Sequence, residues 1–169
     1  MHDDQTKFIK MNDINKKEAA RKKSLGELGE LFALKALVDR GYDRIRNLND
    51  KSLNEPFADL ECEKNGMKII ISVKARNKYE KKGTLNSRYN LGSNAHLKAL
   101  ASENKHNAVA HWMAIQFDNS TFSIYFGTIA ELGEKKAIPV DLCEKGMIGS
   151  IWENNKRHYF DFDFYSNKK

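Results

Sequence analysis

The stretch FADLECEKNGMKIIISVKAR, residues 57–76, decides the fold. Two strand-like runs, Phe57 to Lys64 and Met67 to Arg76, flank the dipeptide Asn65-Gly66. This dipeptide is the preferred one in two-residue type I′ turns, which join antiparallel strands. The turn also fixes the register, since its two flanking residues must face each other. The sequence therefore predicts a β-hairpin in which Lys64 pairs with Met67.

This register brings three polar side chains to one face of the hairpin. Asp59 is predicted to lie across from Ser72, and Lys74 across from Phe57, so that Asp59, Ser72 and Lys74 point the same way. Carboxylate oxygens can hold Mg²⁺ against a phosphate, and a nearby Lys can stabilise charge or orient a water. An Asp beside a Lys on paired strands is also the usual pattern of a simple ion pair. The hairpin alone leaves both interpretations open.

A long helix is predicted upstream, from Asp13 as N-cap to Val38, with Gly41 as its stop. At about 100° per residue, one acidic and three apolar residues share a face: Glu27, Leu31, Leu34 and Val38. Glu30 lies close beside them. The pattern predicts two carboxylates bordering an apolar stripe, where they could complete a metal site. Ordinary helical ion pairs with neighbouring lysines are the alternative.

At these residues the chain resembles the PD-(D/E)xK nucleases. Pro56 to Asp59, followed by Ile69 to Arg76, resembles the motif of that superfamily, and Gly26 to Ala33 resembles the first helix of its resolvase-like and RecB-like members. The resemblance covers about Leu25 to Arg76. It implies an α/β, restriction-endonuclease-like fold with a mixed central β-sheet flanked by helices, and Mg²⁺-dependent cleavage of DNA, with Mn²⁺ as a substitute ion.

The resemblance also implies roles for particular residues. The metal ligands would be Asp59, Glu30 with Glu27 as its alternate, and the carbonyl oxygen of Val73. Lys74 would orient or activate water. Ser72 stands where the superfamily places Asp or Glu, and a neutral hydroxyl is a poor Mg²⁺ ligand. Ser72 would then contribute a hydrogen bond or a water-mediated metal contact, and Glu61, on the face of Asp59, is a further candidate ligand.

The loop after the hairpin is strongly basic. From Lys74 to Arg88 there are six basic residues against one acidic residue, in a chain whose formal net charge is +6. Such a run is usually a solvated surface, but its place beside the candidate site favours contacts with phosphates. The candidate nucleic-acid contacts are Arg76, Lys78, Lys81, Lys82 and Arg88, with Tyr79 and Tyr89 as stacking or hydrogen-bonding partners.

The rest of the sequence predicts one domain over residues 13–166, after a flexible tail at residues 1–12. A short helix capped by Ser93 and a second hairpin around residues 118–120 would complete the fold. The two cysteines, Cys62 and Cys143, are expected to be buried thiols. The absence of a signal peptide or an apolar span favours the cytoplasm. DNA is the expected partner and a homodimer is left open. The main alternative function is a catalytically inactive nuclease fold that binds DNA or acts as a scaffold.

Overall fold

A computed structural model describes residues 2–49, 55–118, 121–139 and 150–153 of the chain, with side chains from residue 14 to residue 139 within those ranges. The elements are α1 (His2–Asp39), β1 (Asp43–Asn47), β2 (Leu60–Lys64), β3 (Met67–Asn77), β4 (Arg88–Asn90), α2 (Ala95–His106), β5 (Val109–Asp118), β6 (Thr121–Thr128), α3 (Ile129–Leu132), β7 (Ala137–Pro139) and β8 (Ser150–Glu153). The mixed α/β class predicted from the sequence is confirmed.

In the described ranges of the chain, six strands form one mixed sheet in the order β1-β2-β3-β5-β6-β8. Strands β3 and β5 are parallel, and the other neighbouring pairs are antiparallel. A parallel pair needs a crossover connection, which here contains β4 and α2. Strand β4 pairs with β7 in a separate two-stranded sheet. Strand β3, which carries Ser72 and Lys74, is therefore an inner strand of the main sheet.

The predicted hairpin register is confirmed over five residue pairs, from Lys64–Met67 to Leu60–Ile71. Asn65 and Gly66 have φ values of 53° and 78°, the two positive angles that a type I′ turn requires. Strand β2 begins only at Leu60, however, so the predicted pairs of Asp59 with Ser72 and of Phe57 with Lys74 are not part of the ladder. The regular pairing ends one residue before the candidate site.

A separate hydrophobic core covers each face of the sheet. Helix α1 packs on one face through Ala33, Ala36 and Leu37, against a core that includes Ile71 and Val73. On the opposite face, the core contains residues from β3, β4, α2 and β5: Ile70, Tyr89, Ala99 and Trp112. Because side chains alternate along a strand, Ser72 and Lys74 lie on the α2 side of the sheet.

Two predictions about helix α1 are wrong. The helix begins at His2 and not at Asp13, since residues 2–12 contain no Gly or Pro to interrupt it. Its buried face is also different, because Leu31 and Val38 are 62% and 61% exposed. Small residues allow the close approach instead. A Cβ placed on Gly29 would lie 2.5 Å from the Cβ of Ala75 in β3.

This close approach makes Gly29→Ala a test of how α1 packs. The new methyl group would push the helix away from β3, and we expect a loss of about 1–3 kcal/mol in the free energy of unfolding. Gly26→Ala is the matched control, because nothing lies within 4 Å of its Cβ position in the same helix. Removing this helical glycine should raise stability by about 0.5–1 kcal/mol. Urea unfolding of both variants measures the difference, and equal stabilisation would contradict the packing.

The remaining elements follow the sequence with small shifts. The N-cap residue of helix α2 is Asn94 and not Ser93, and its side chain makes no capping hydrogen bond. The second hairpin is present as β5 and β6.

Cys62 is a buried free thiol whose pKa is raised to about 12 by burial and then by the nearby Glu61 charge. Cys143 lies outside the described residues. Within the described residues, no helix is long and apolar enough to cross a membrane.

Candidate active site

Asp59 lies where the β2–β3 ladder ends. Its N–H donates to the carbonyl of Ile71 at 2.8 Å, one residue short of the ladder register. Its carboxylate accepts a hydrogen bond from a backbone amide of β3, because the N–H of Val73 donates to Oδ2 at 2.7 Å. The carbonyl of Asp59 accepts the N–H of Leu48 at 2.9 Å. Backbone contacts on both sides therefore fix the position and direction of this carboxylate.

Lys74 is the charged partner of Asp59. Its Nζ lies 3.7 Å from Asp59 Oδ2, and the two side chains are 31% and 22% exposed. A partly exposed ion pair of this kind contributes only about 0–1 kcal/mol to stability. Because both side chains are partly exposed, a ligand from solvent can reach them. The predicted proximity of Asp59 and Lys74 is thus present in the structure.

Glu30 is connected to Asp59 through two asparagine side chains. Asn47 donates from Nδ2 to Glu30 Oε2 at 2.9 Å, and the Oδ1 of Asn47 accepts the N–H of Asn49 at 2.8 Å. Asn49 then donates from Nδ2 to Asp59 Oδ1 at 3.4 Å. Neither asparagine had a signal in the sequence. Their contacts link the helix carboxylate and the hairpin carboxylate at the C-terminal end of β1.

Glu27 lies away from this network. Its side chain is 63% exposed and pairs with Lys23 at 3.8 Å. The prediction that Glu27 borders the apolar stripe is therefore wrong, because the buried face of α1 is formed by Gly29, Ala33, Ala36 and Leu37. An exposed helical ion pair explains this residue, so Glu30 is the better placed of the two helix glutamates.

Ser72 and Val73 occupy adjacent positions in β3 with different surroundings. Ser72 is 2% exposed and lies beside Trp112 of β5, whereas the Val73 side chain belongs to the core under α1. Two buried N–H groups share the Ser72 side of the sheet, Nε1 of Trp112 and Nε2 of Gln116, and neither has a hydrogen-bond partner among the described residues. Trp112, the β5 partner of Ser72, thus carries a buried polar group that the sequence did not single out.

Glu61 is surrounded by basic side chains. Its carboxylate lies 2.6 Å from Arg46, 3.4 Å from Lys68 and 3.1 Å from Nδ1 of His106, and the side chain is 5% exposed. A buried carboxylate with these partners is already compensated. These contacts account for the burial of the Glu61 carboxylate. The structure therefore does not favour Glu61 as a metal ligand in place of the acid that Ser72 lacks.

The segment that leads into Asp59 is held by Glu55. This carboxylate is 2% exposed and accepts hydrogen bonds from Ser102 at 3.0 Å and Lys105 at 2.7 Å. Burial raises the pKa of Glu55, but the hydrogen bonds from Lys105 and Ser102 outweigh it and hold the pKa below its usual value. Helix α2 therefore anchors the chain four residues before Asp59. Neither Glu55 nor His106 was identified from the sequence.

The basic side chains predicted to contact phosphates differ in their exposure and in their acidic neighbours. Arg76, Lys82 and Arg88 are exposed. Lys78 lies 3.7 Å from Asp118, and Lys81 lies 3.4 Å from Glu18.

The two predicted aromatic partners also differ. Tyr79 is 48% exposed, but Tyr89 is fully buried. The prediction for Tyr89 is wrong, because it is the inward residue of β4, between exposed Arg88 and Asn90.

Two of the predicted metal ligands, Asp59 and Glu30, supply carboxylate oxygens. Mg²⁺ is commonly held by one or two carboxylates together with substrate phosphates, and Asp59 and Glu30 are the carboxylates in the asparagine network. In the part of the chain that the structure describes, no group of three or more His, Cys, Asp or Glu side chains is arranged to hold a metal ion. No protein-family model matches the chain, and a search of curated proteins finds no match either.

Proposed function

We propose that this protein is a metal-dependent DNA nuclease of restriction-endonuclease-like fold that hydrolyses phosphodiester bonds. The observation that carries the proposal is the Asp59 carboxylate, held by the Val73 N–H at 2.7 Å with Lys74 Nζ at 3.7 Å. The pair places a carboxylate that can ligate a metal ion beside a cation that can contact a phosphate, and both side chains are partly exposed. The exposed basic residues after β3 supply positive charge next to it.

Each residue of the site would have a separate role. Asp59 and Glu30 would hold the Mg²⁺ ion, which when bound neutralises phosphate charge and activates a water. Lys74 would donate a hydrogen bond to the attacking water or to a phosphate oxygen. Asn47 and Asn49 would orient the two carboxylates. The buried hydroxyl of Ser72 would contribute a hydrogen bond or a water-mediated contact.

Metal removal tests the proposal. Wild-type protein should nick supercoiled plasmid with Mg²⁺ or Mn²⁺, because the metal supplies most of the charge stabilisation. With excess EDTA the rate should fall at least about 10³-fold, equivalent to about 4 kcal/mol of activation free energy. Gel densitometry of nicked and linear plasmid measures it. Cleavage that is equally fast with EDTA would contradict a metal-dependent site.

A second candidate function is a DNA-binding protein that has lost catalysis. The observation that favours it is Ser72, a neutral and 2% exposed residue where a nuclease of this type would carry an acid. In such a protein Asp59 and Lys74 would remain as an ion pair, and the basic residues would hold DNA without cleaving it.

The variant Ser72→Glu separates these two functions. In an active nuclease the larger, charged side chain would crowd Trp112, and the cleavage rate should stay the same or fall by up to about tenfold. Plasmid cleavage of the variant is compared with wild type and with Ser72→Ala. Cleavage that arises only in Ser72→Glu would instead identify the natural protein as a binding protein.

A further inference from the structure

The first part of helix α1 is an exposed arm. Gly29 packs on Ala75, directly after Lys74, and marks the start of the packed part of the helix. From Ile14 to Ser24 every side chain is exposed except Glu18, which is partly covered. The helix rises about 22 Å between Ile14 and Gly29 at about 1.5 Å per residue. We call residues 14–28 the arm, and it leaves the α1 face of the sheet next to Ala75, the residue that follows Lys74 in β3.

The arm is basic and contacts the basic loop at residues 76–88. Five basic residues and one acidic residue lie between Ile14 and Ser24. The acid, Glu18, accepts a hydrogen bond from Arg21 at 2.7 Å and lies 3.4 Å from Lys81 of the loop. The hydrogen bond from Arg21 lowers the pKa of Glu18 to about 2, although burial opposes this shift. Glu18 therefore stays ionised at neutral pH and joins the two basic segments.

Four of the five basic residues of the arm lie on two opposite faces. At about 100° per residue, Arg21 and Lys22 lie within about 60° of Glu18 and so face the loop. Lys16 and Lys23 lie about 140–160° away from Glu18, and Lys23 pairs with Glu27 at 3.8 Å. Only one face of the arm therefore continues the positive surface formed by the loop.

We propose that the arm and the basic loop together grip the sugar-phosphate backbone of duplex DNA, independently of sequence, and present it to Asp59 and Lys74. The substrate class rests on the proposed function. A straight helix of this length matches roughly six base pairs at about 3.4 Å each. The arm contains no aromatic residue on which bases of a single strand could stack. Lys and Arg contacts to phosphate hold a duplex without distinguishing sequences.

The experiment compares two variants of the full chain that remove equal charge from the same helix. Arg21→Gln/Lys22→Gln changes the loop-facing side, and Lys16→Gln/Lys23→Gln changes the opposite side. Binding of a fluorescent duplex of roughly 30 base pairs is measured by anisotropy in EDTA, from about 50 to 200 mM salt. Circular dichroism confirms that both variants keep their helix content. A single strand of the same length is measured in parallel.

The loop-facing variant should lose about 1.8 from the log–log salt slope for the duplex, since each lost phosphate contact removes about 0.9. The opposite-face variant should keep the wild-type slope, and the loss should be smaller on the single strand. Equal slopes for the two variants, or an equal loss on both DNA forms, would overturn the inference.

The outcome also separates the inference from the nuclease proposal. If the wild-type protein cleaves plasmid and the two variants have equal salt slopes, the DNA-binding role of the arm is wrong and the nuclease proposal stands. If the wild-type protein does not cleave plasmid and the loop-facing variant has a reduced salt slope, the role of the arm is supported and the nuclease proposal is wrong. A wild type that binds neither DNA form would overturn the inference directly.

Discussion

Asp59→Asn should reduce plasmid cleavage at least about 10³-fold, corresponding to about 4 kcal/mol of transition-state stabilisation. The neutral amide is a much poorer ligand for Mg²⁺ than a carboxylate. The exchange preserves size, and the Asn carbonyl oxygen can still accept the Val73 N–H that holds this side chain at 2.7 Å. The fold should therefore survive, so that the loss reports on chemistry. Initial rates of nicking with Mg²⁺ measure the effect.

Glu63→Gln is the matched control for this exchange. Glu63 lies in β2, which begins directly after Asp59, and it pairs with Arg44 at 2.9 Å, so the substitution also neutralises an ion-paired carboxylate. Glu63 lies near the hairpin turn, at the opposite end of β2 from Asp59. We expect the control to cleave at nearly the wild-type rate. An Asp59→Asn variant as active as the Glu63→Gln variant would remove Asp59 from the mechanism.

Lys74→Met should lower the cleavage rate by about 10²–10³-fold. Methionine keeps most of the length of the side chain but removes the positive charge and the hydrogen-bond donor beside the phosphate. Binding of DNA should change little, because one phosphate contact accounts for only about 0.9 of the log–log salt slope. Single-turnover cleavage at saturating protein separates the chemical step from binding.

Lys98→Met controls for the loss of one positive charge. Lys98 is exposed on α2, and its replacement should leave the cleavage rate close to that of wild type. The two methionine variants carry the same net charge, so a general electrostatic effect would slow both equally. Equal rates in these variants would show that Lys74 has no special place in the reaction.

The hairpin was predictable because its signals are local. Asn65-Gly66 favours positive φ at two adjacent residues, and this turn dictates the register of every pair up to Leu60–Ile71. Alternation along β3 then brings Lys74 to the side of Asp59. These features depend on neighbours in sequence, and the structure contains them. The ladder ends before Asp59 because the Asp59 N–H donates to Ile71 one residue out of register.

The supporting contacts were not predictable from local patterns. Asn47 and Asn49 are ordinary residues for a strand end and a loop, and only the fold brings them between Glu30 and Asp59. Glu55 and Lys105 are 50 residues apart in the chain. No spacing rule connects such pairs, because their contact depends on how α2 packs against the sheet.

In the sequence of α1, small residues indicate the buried face better than large apolar residues do. Gly29, Ala33 and Ala36 recur at helical spacing, and small residues allow a helix to approach a strand closely. Counting only large apolar residues placed Leu31 and Val38 inside and Glu27 at the border of the core. Close packing of Gly29 on Ala75 turns those residues outward. The same contact therefore explains why Glu27 is exposed and how Glu30 is positioned.

Asp59 and Lys74 are proposed to form a metal-dependent phosphodiesterase site. The most direct measurement is nicking of supercoiled plasmid with Mg²⁺ by wild type, Asp59→Asn and Lys74→Met, purified in parallel. We predict rapid nicking by wild type, with losses of about 10³-fold and 10²–10³-fold in the two variants. Equal nicking by all three proteins would contradict it.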